Sequence, residues 1–495
     1  MFYQSTRESS KKVLSSEAIV RGICEDGGLF VPDILPKLDK KLDELKSMNY
    51  RELAFYVMSK FFTDFKEEEL KDCINKAYDD KFDTSVIAPL VKKGDASFLE
   101  LFHGPTIAFK DMALSILPHL LKTAARNLNI NKEIVILTAT SGDTGKAALE
   151  GFTNVDGVKI IVFFPQDGVS EIQKMQMVTQ KGENTFVVGV KGNFDDCQTG
   201  VKNIFSDKEY NKKLDDNNIV FSSANSINIG RLVPQIVYYF YSYIQMCNSN
   251  EINVGDSINF VVPTGNFGNI LAAYYAKKMG LPINKLICAS NENNVLYDFI
   301  NTGVYDKRRE LKLTISPSMD ILVSSNLERL LVSLNDGNRE QIKNMMDSLT
   351  SKGIYEITDE MKKGLISFYG GYSTEQETHD TIKNVFEQEN YLLDTHTAVA
   401  YSVYEKYKDA TNDVTKTVVV STASPFKFTR SVMTSIDAKY DEFTDFELVE
   451  KMAELSKVRI PAAIKDINKR EIKHGRICEV DEMKSVVADI INVSI

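Results

Sequence analysis

The 495-residue chain has only six cysteines and five histidines, and neither type is grouped. Cys24, Cys73, Cys197, Cys247, Cys288 and Cys478 make no CxxC or CxxH unit, and His103, His119, His379, His396 and His474 contain no ligand-spaced pair. This scarcity speaks against a metal centre and against a disulfide framework, and it leaves structural thiols as the default. No apolar run is long enough to span a bilayer, so no membrane association is expected, and the Met1-Phe2-Tyr3 start does not read as a secretory leader. The expected setting is the reducing cytoplasm. Positive charge is also short, with 59 Lys and Arg against 69 Asp and Glu for a net charge of −10. Without a basic face, nucleic acid is excluded as an expected partner.

What is present is the composition of a globular protein, 43% hydrophobic and 26% charged, without internal repeat or proline-rich linker. The length predicts two or three domains. Residues 1–95 alternate charged and apolar stretches at helical spacing, around 42–62 and 67–78. From about 131 the pattern becomes strand, polar loop, helix, strand: 133–137, 144–152 and 158–164, then 258–262, 267–279 and 285–289, then 417–421 ahead of a helix near 427. Such alternation predicts an α/β fold, parallel sheets covered by helices on both faces. Ligands bind outside the carboxyl ends of strands in such sheets, and the polar loops 138–144, 263–269 and 421–425 all occupy that position.

The segment Leu101-Phe102-His103-Gly104-Pro105-Thr106-Ile107-Ala108-Phe109-Lys110-Asp111 is the centre of the chain. It opens into apolar residues at Phe109, Met112, Ala113, Ile116, Leu117, Leu120, Leu121 and Ala124, the spacing of one buried helix face. Lysines at helix starts are commonly solvated. Here apolar flanks and the positive end of a helix would both disfavour the ammonium form of Lys110, giving an amine suited to Schiff-base chemistry.

Three loops carry further candidates. In Val262-Pro263-Thr264-Gly265-Asn266-Phe267-Gly268-Asn269, two glycines ahead of a helix can form a phosphate cradle or a plain tight turn. Thr138-Ala139-Thr140-Ser141-Gly142-Asp143-Thr144-Gly145-Lys146 lacks the spacing of a nucleotide P-loop, with Thr at 140 and Ala at 147. Thr140, Ser141 and Thr144 offer hydroxyls to a carboxylate, or they cap a helix with no ligand. In Asn225-Ser226-Ile227-Asn228-Ile229-Gly230-Arg231, the planar fork of Arg231 suits a phosphate, although a lone Arg is often a surface charge.

The words His-Gly-Pro-Thr and Ala-Phe-Lys-Asp closely resemble the lysine segment of threonine synthases, enzymes that use pyridoxal phosphate (PLP). Other segments follow in family order: Ser5-Thr6-Arg7, Asp26-Gly27-Gly28-Leu29-Phe30-Val31-Pro32, the 265–269 loop, Asp394-Thr395-His396-Thr397-Ala398, and Ser421-Thr422-Ala423-Ser424-Pro425-Phe426-Lys427-Phe428. Ser424 stands where the family has His, Phe426 where it has Ala, and Thr395 where it has Pro.

The resemblance implies PLP fold type II. It places PLP on Lys110, its phosphate on Gly265, Asn266, Phe267, Gly268 and Asn269, its phenolic oxygen near Asp143 and its pyridine nitrogen at Thr422. It assigns Thr140, Ser141, Thr144, Asn225 and Arg231 to the substrate, while His396 is either structural or part of the site. The implied reaction is the last step of threonine biosynthesis, O-phospho-L-homoserine and water to L-threonine and phosphate, by a monomer or homodimer. A serine or threonine dehydratase and a non-catalytic PLP-binding homologue remain as alternatives. The implied organisation is an N-terminal domain to 95, a core over 96–430 with a smaller mobile subdomain at about 131–225, and a helical segment over 431–495.

Overall fold

Runs of β-branched residues build two parallel sheets. Thr417–Ser421, reading Thr-Val-Val-Val-Ser, is buried throughout and lies between Ile258–Pro263 and Ala96–Glu100, parallel to both. The six-stranded sheet runs in space as Phe368–Tyr372, Ile283–Ser290, Ile258–Pro263, Thr417–Ser421, Ala96–Glu100 and Leu90–Lys93. Only its last pair is antiparallel. The second sheet, parallel throughout, orders Arg476–Cys478, Thr185–Val190, Val158–Pro165, Glu133–Ala139 and Ile219–Ser222. This is a computed structural model, and it describes every residue except Ser9, Ser141, Gly168, Ser494 and Ile495.

Successive strand residues face different cores, because side chains alternate across a strand. Phe260, Val262, Val418 and Val420 join one apolar cluster with Leu232 and Ile236, whereas Val261 and Val419 join another with Val399 and Val403. The second sheet does the same: Ile134 and Ile136 share the first cluster, and Val135 and Leu137 face a third that includes Val487 and Ile491. Both faces are covered, which is why these strands read as unbroken apolar runs. Each fully buried Val or Ile contributes roughly 1.5–3 kcal/mol. Among the described residues, no helix is long and apolar enough to cross a membrane.

Three local expectations are corrected. The helix after Lys110 is not continuous: Asp111–Leu114 forms one turn, and Leu117–Asn127 starts afresh with Pro118 in its first turn. Proline has no N–H to bond back to the Leu114 carbonyl, so the ladder breaks there. The boundary expected at 95 falls inside a hairpin, since Leu90–Lys93 is the edge strand beside Ala96–Glu100. Finally, 431–495 is not wholly helical, for Arg476–Cys478 adds to the second sheet beside Thr185–Val190.

Candidate active site

The Lys110 segment is strapped to the carboxyl end of the central strand. Phe109 N donates to Thr422 O at 2.7 Å, and Ser424 N donates to Ile107 O at 3.0 Å. Ile107 is held at φ 56, a left-handed conformation costly for a β-branched residue. Lys110 is 8% exposed, with Nζ 3.3 Å from Asp143 Oδ2, 3.1 Å from Ser318 Oγ and 5.6 Å from the Phe109 ring centre. Burial lowers the amine from its ordinary value, and the charges of Lys427 and Arg231 push the same way against Asp143. A four-residue helix has little dipole, so burial supplies the effect expected from the helix terminus.

Asp143 heads the helix Asp143–Phe152 and is itself buried. One carboxylate oxygen, Oδ1, receives Gln173 Nε2 at 2.9 Å and lies 3.2 Å from Lys427 Nζ. The other, Oδ2, meets Lys110 and accepts from Ser318 Oγ at 3.2 Å. Burial alone would raise this carboxyl, but Lys427 and Lys110 outweigh it and hold Asp143 well below the usual carboxylate range. Gly142 has φ 133, and a Cβ there would stand 2.6 Å from the Gln173 amide, so only glycine lets Gln173 reach Asp143.

The 265–269 loop turns its carbonyls one way and leaves its N–H groups free. Ser324 Oγ donates to Gly265 O at 2.7 Å, and Asn326 Nδ2 donates to Asn266 O at 3.0 Å. Among the described residues, no backbone N–H from Gly265 to Asn269 has a hydrogen-bond acceptor. Phe267 is buried at φ 61 ahead of the helix Gly268–Met279, a strained backbone held at a helix N-terminus. Asn269 Oδ1 accepts from Tyr238 Oη at 2.5 Å and Tyr239 Oη at 2.6 Å, which orients the amide so that its buried Nδ2 has no partner among the described residues. The cradle is thus a set of unsatisfied donors, the arrangement an anion completes. Gly265 is explained differently from the sequence expectation: a Cβ there would meet Ser318 O at 2.5 Å, so the close backbone is the protein's own.

Arg231 is not a surface charge. It is 3% exposed near the start of the helix Ile229–Asn248, and its Nη1 donates to Ala224 O at 2.8 Å. Its Nε is buried without a partner among the described residues, and burial draws the guanidinium down to about 10, still charged at neutral pH. Gln235 and Tyr238 follow at helical spacing and lead to Asn269, through Gln235 Nε2 to Arg231 O at 2.8 Å and Tyr238 Oη to Gln235 Oε1 at 3.1 Å.

The remaining sequence candidates divide. Thr140 Oγ1 accepts from Gly142 N at 3.0 Å and Gly145 N at 2.9 Å, so its hydroxyl oxygen caps the helix. Thr144 is half-buried in that helix's first turn, and Ser141 lies outside the described residues. Asn225 is exposed and its hydrogen bonds are made by its backbone, whereas Asn228 caps the Arg231 helix through Gly230 N at 2.8 Å. Ser424 Oγ accepts from Phe426 N at 3.3 Å and caps the next turn. His396 is buried, with Nδ1 3.0 Å from Asp394 Oδ1 and Nε2 accepting from Ser318 N at 3.2 Å. Sequence reading missed Lys427 and Ser318 as members of this cluster. Lys427 lies in the Ser421–Phe428 segment and Ser318 in the stretch Ser316-Pro317-Ser318-Met319-Asp320, yet nothing in local spacing shows that either points at Asp143.

Comparison with known proteins places this geometry. Residues 98–423 match the model of the pyridoxal-phosphate-dependent enzymes, so the fold is that of a PLP enzyme of fold type II. The N-terminal model of threonine synthases matches residues 2–78, and the C-terminal one matches residues 397–487. The chain belongs to the threonine synthase family. It is 37% identical to the threonine synthase of Saccharomyces cerevisiae over 98% of this chain and 97% of that protein. Its fold is similar to the crystal structure of yeast threonine synthase, with TM-score 0.89, 35% identity and 99% of both chains covered. It is also similar to the PLP-bound threonine synthase of Brucella melitensis, with TM-score 0.87, 32% identity and 99% of both chains covered. As a family member the chain is a lyase with PLP as cofactor and a small molecule as substrate.

Proposed function

We propose that this enzyme converts O-phospho-L-homoserine and water to L-threonine and phosphate, the last step of threonine biosynthesis, in the cytoplasm. The observation that carries this reading is Arg231: a buried guanidinium that has no carboxylate partner among the described residues, and whose charge is felt at Lys110, is a second anion site linked to the cradle through Gln235, Tyr238 and Asn269. A dehydratase acting on serine or threonine has no leaving phosphate to bind there.

The residues present fit the cofactor. Lys110 would hold it, the 265–269 N–H groups and the Asn269 amide would take its phosphate, Thr422 would face its ring nitrogen as a neutral hydroxyl, and Asp143 would stand by its phenolic oxygen. When bound, PLP supplies the electron sink that lets protons leave Cα and Cβ of the substrate. Lys110, freed by the substrate amine, carries those protons, and a buried amine below its ordinary pKa suits a general base. Arg231 binds the γ-phosphate as it leaves Cγ, and the start of the helix Asp143–Phe152, with Thr144 in its first turn, receives the substrate carboxylate. Water then adds at Cβ, and Lys110 returns protons to Cγ and Cα.

The test is incubation of the holoenzyme with phosphohomoserine and with serine separately, measuring phosphate, threonine and keto acid. Equal phosphate and threonine from the first is the expected result. Keto acid from serine, formed faster, would move the assignment to the dehydratase. Gel filtration of the same preparation distinguishes the monomer from the homodimer.

A further inference from the structure

One buried charge in the site has no task in this reading. The Lys427 side chain is wholly inaccessible to solvent; its Nζ donates to Thr106 O at 3.0 Å and lies 3.2 Å from Asp143 Oδ1. Lys110 and Ser318 meet the opposite oxygen, Oδ2, at 3.3 and 3.2 Å. Two amines therefore share one carboxylate, whose single negative charge balances only one of them. Lys427 is fixed on both sides and cannot turn to water. Lys110 keeps 8% of its surface exposed, and its other hydrogen-bond partner is the Ser318 hydroxyl, which can accept an N–H bond from a neutral amine.

We propose that Lys427 is a positioning residue, the resident counter-ion of Asp143, and that by occupying this carboxylate it keeps the Lys110 amine uncharged and able to accept a proton. The inference rests on the reading of Lys110 as cofactor holder and proton carrier. Burial is the main cause that lowers Lys110; Asp143 pulls the amine back up, and the charge of Lys427 pushes it down, the direction this role requires. Other charged groups face the cluster. Arg231 acts on Lys110, His396 on Asp143, and the charge of Lys427 reaches both Asp111, hydrogen-bonded to Thr106, and Lys146, paired with Glu150. They remain the same in every variant of the cycle below and cancel in the comparison.

The experiment is a charge cycle on full-length holoenzyme: Lys427→Gln, Asp143→Asn, the double variant, and Lys427→Arg as the conservative control. For each, the pH midpoint of the cofactor's visible absorption and the acid limb of the pH–kcat profile are recorded, and borohydride reduction with peptide mapping locates the pyridoxyl group. Losing Lys427 removes a positive charge beside the amine, so the midpoint rises by about one pH unit or more. Rates below the midpoint then fall about tenfold, while rates well above it recover. Asp143→Asn moves the midpoint down, the double variant returns it close to native, and Lys427→Arg leaves it near native. An equal loss of rate at every pH with an unmoved midpoint, the label still on Lys110, overturns the proposal. Label on another lysine would instead sink the underlying reading. Should Lys427→Gln not fold, Asp143→Asn against the double variant still decides, since equal midpoints in those two also overturn it.

Discussion

A buried arginine without an acid is costly unless something arrives to match it. Arg231 is such a residue, and its unpaired Nε gives the strongest prediction about substrate choice. Arg231→Ala should lose roughly 2–4 kcal/mol of transition-state stabilisation, the scale of one preorganised donor. Cofactor occupancy should stay full by absorbance, and competitive inhibition by inorganic phosphate should weaken; wild-type kcat/KM in the variant would remove Arg231 from the site. His103 gives a pH prediction. Burial works against its charge, but Asp83 at 2.5 Å and Glu100 at 2.8 Å outweigh burial and lift the imidazole to about 9. A group raised in the folded state contributes fully below its ordinary value near 6.5 and loses that contribution as pH climbs through about 9. Urea titrations should find His103→Gln less stable than native by at most roughly 3 kcal/mol at pH 6, the gap closing by pH 10. A gap independent of pH would show that the imidazolium pairs contribute nothing.

At the scale of elements, the cradle loop makes the clearest division between folding and binding. A Cβ at Gly268 would meet, among the described residues, the Asn326 side chain alone, its Nδ2 at 3.4 Å, so the protein itself tolerates a small side chain there. Gly268→Val should therefore fold but retain PLP poorly, as read by circular dichroism and by absorbance after gel filtration. Full occupancy would exclude the loop as the phosphate site. Gly265 is the reverse case, because Ser318 O fills its Cβ position. How legible these elements were follows from their physics. Strands buried on both faces announce themselves as apolar runs, so Thr417–Ser421 and Glu133–Ala139 could be read directly, with the polar loops at their carboxyl ends. The break at Pro118 was legible in principle, since one proline decides it. Lys427, Ser318 and Gln173 were not, because their meeting at Asp143 depends on how separate segments pack, which no local period encodes.

For the molecule as a whole, the N-terminal residues are bolted to the helix Leu327–Leu334, which begins just after Ser324 and Asn326, the residues that bond the cradle's carbonyls. Arg7 Nε and Nη2 meet Glu328 Oε1 and Oε2 at 2.9 and 3.0 Å, Thr6 Oγ1 donates to the same carboxylate at 2.5 Å, and the neighbouring Arg329 donates to Phe30 O at 2.9 Å. Glu328→Gln should lower stability by roughly 2–3 kcal/mol, the scale of hydrogen bonds to a charged group, measured as a lower urea midpoint. An unchanged midpoint would mean that the N-terminal residues dock without this contact. The placement of Thr417–Ser421 between Ile258–Pro263 and Ala96–Glu100 has a further consequence, for synthesis. As the chain leaves the ribosome, Ala96–Glu100 emerges roughly 300 residues ahead of the strand that must join it to the sheet. At about 5–20 residues per second, that interval is roughly 15–60 s. During it, the hairpin that leads into Lys110 has an open hydrogen-bonding edge, the feature that invites mispairing between nascent chains. The central strand is thus the last of the six to be made, and translation speed before it sets how long the catalytic segment waits unfinished.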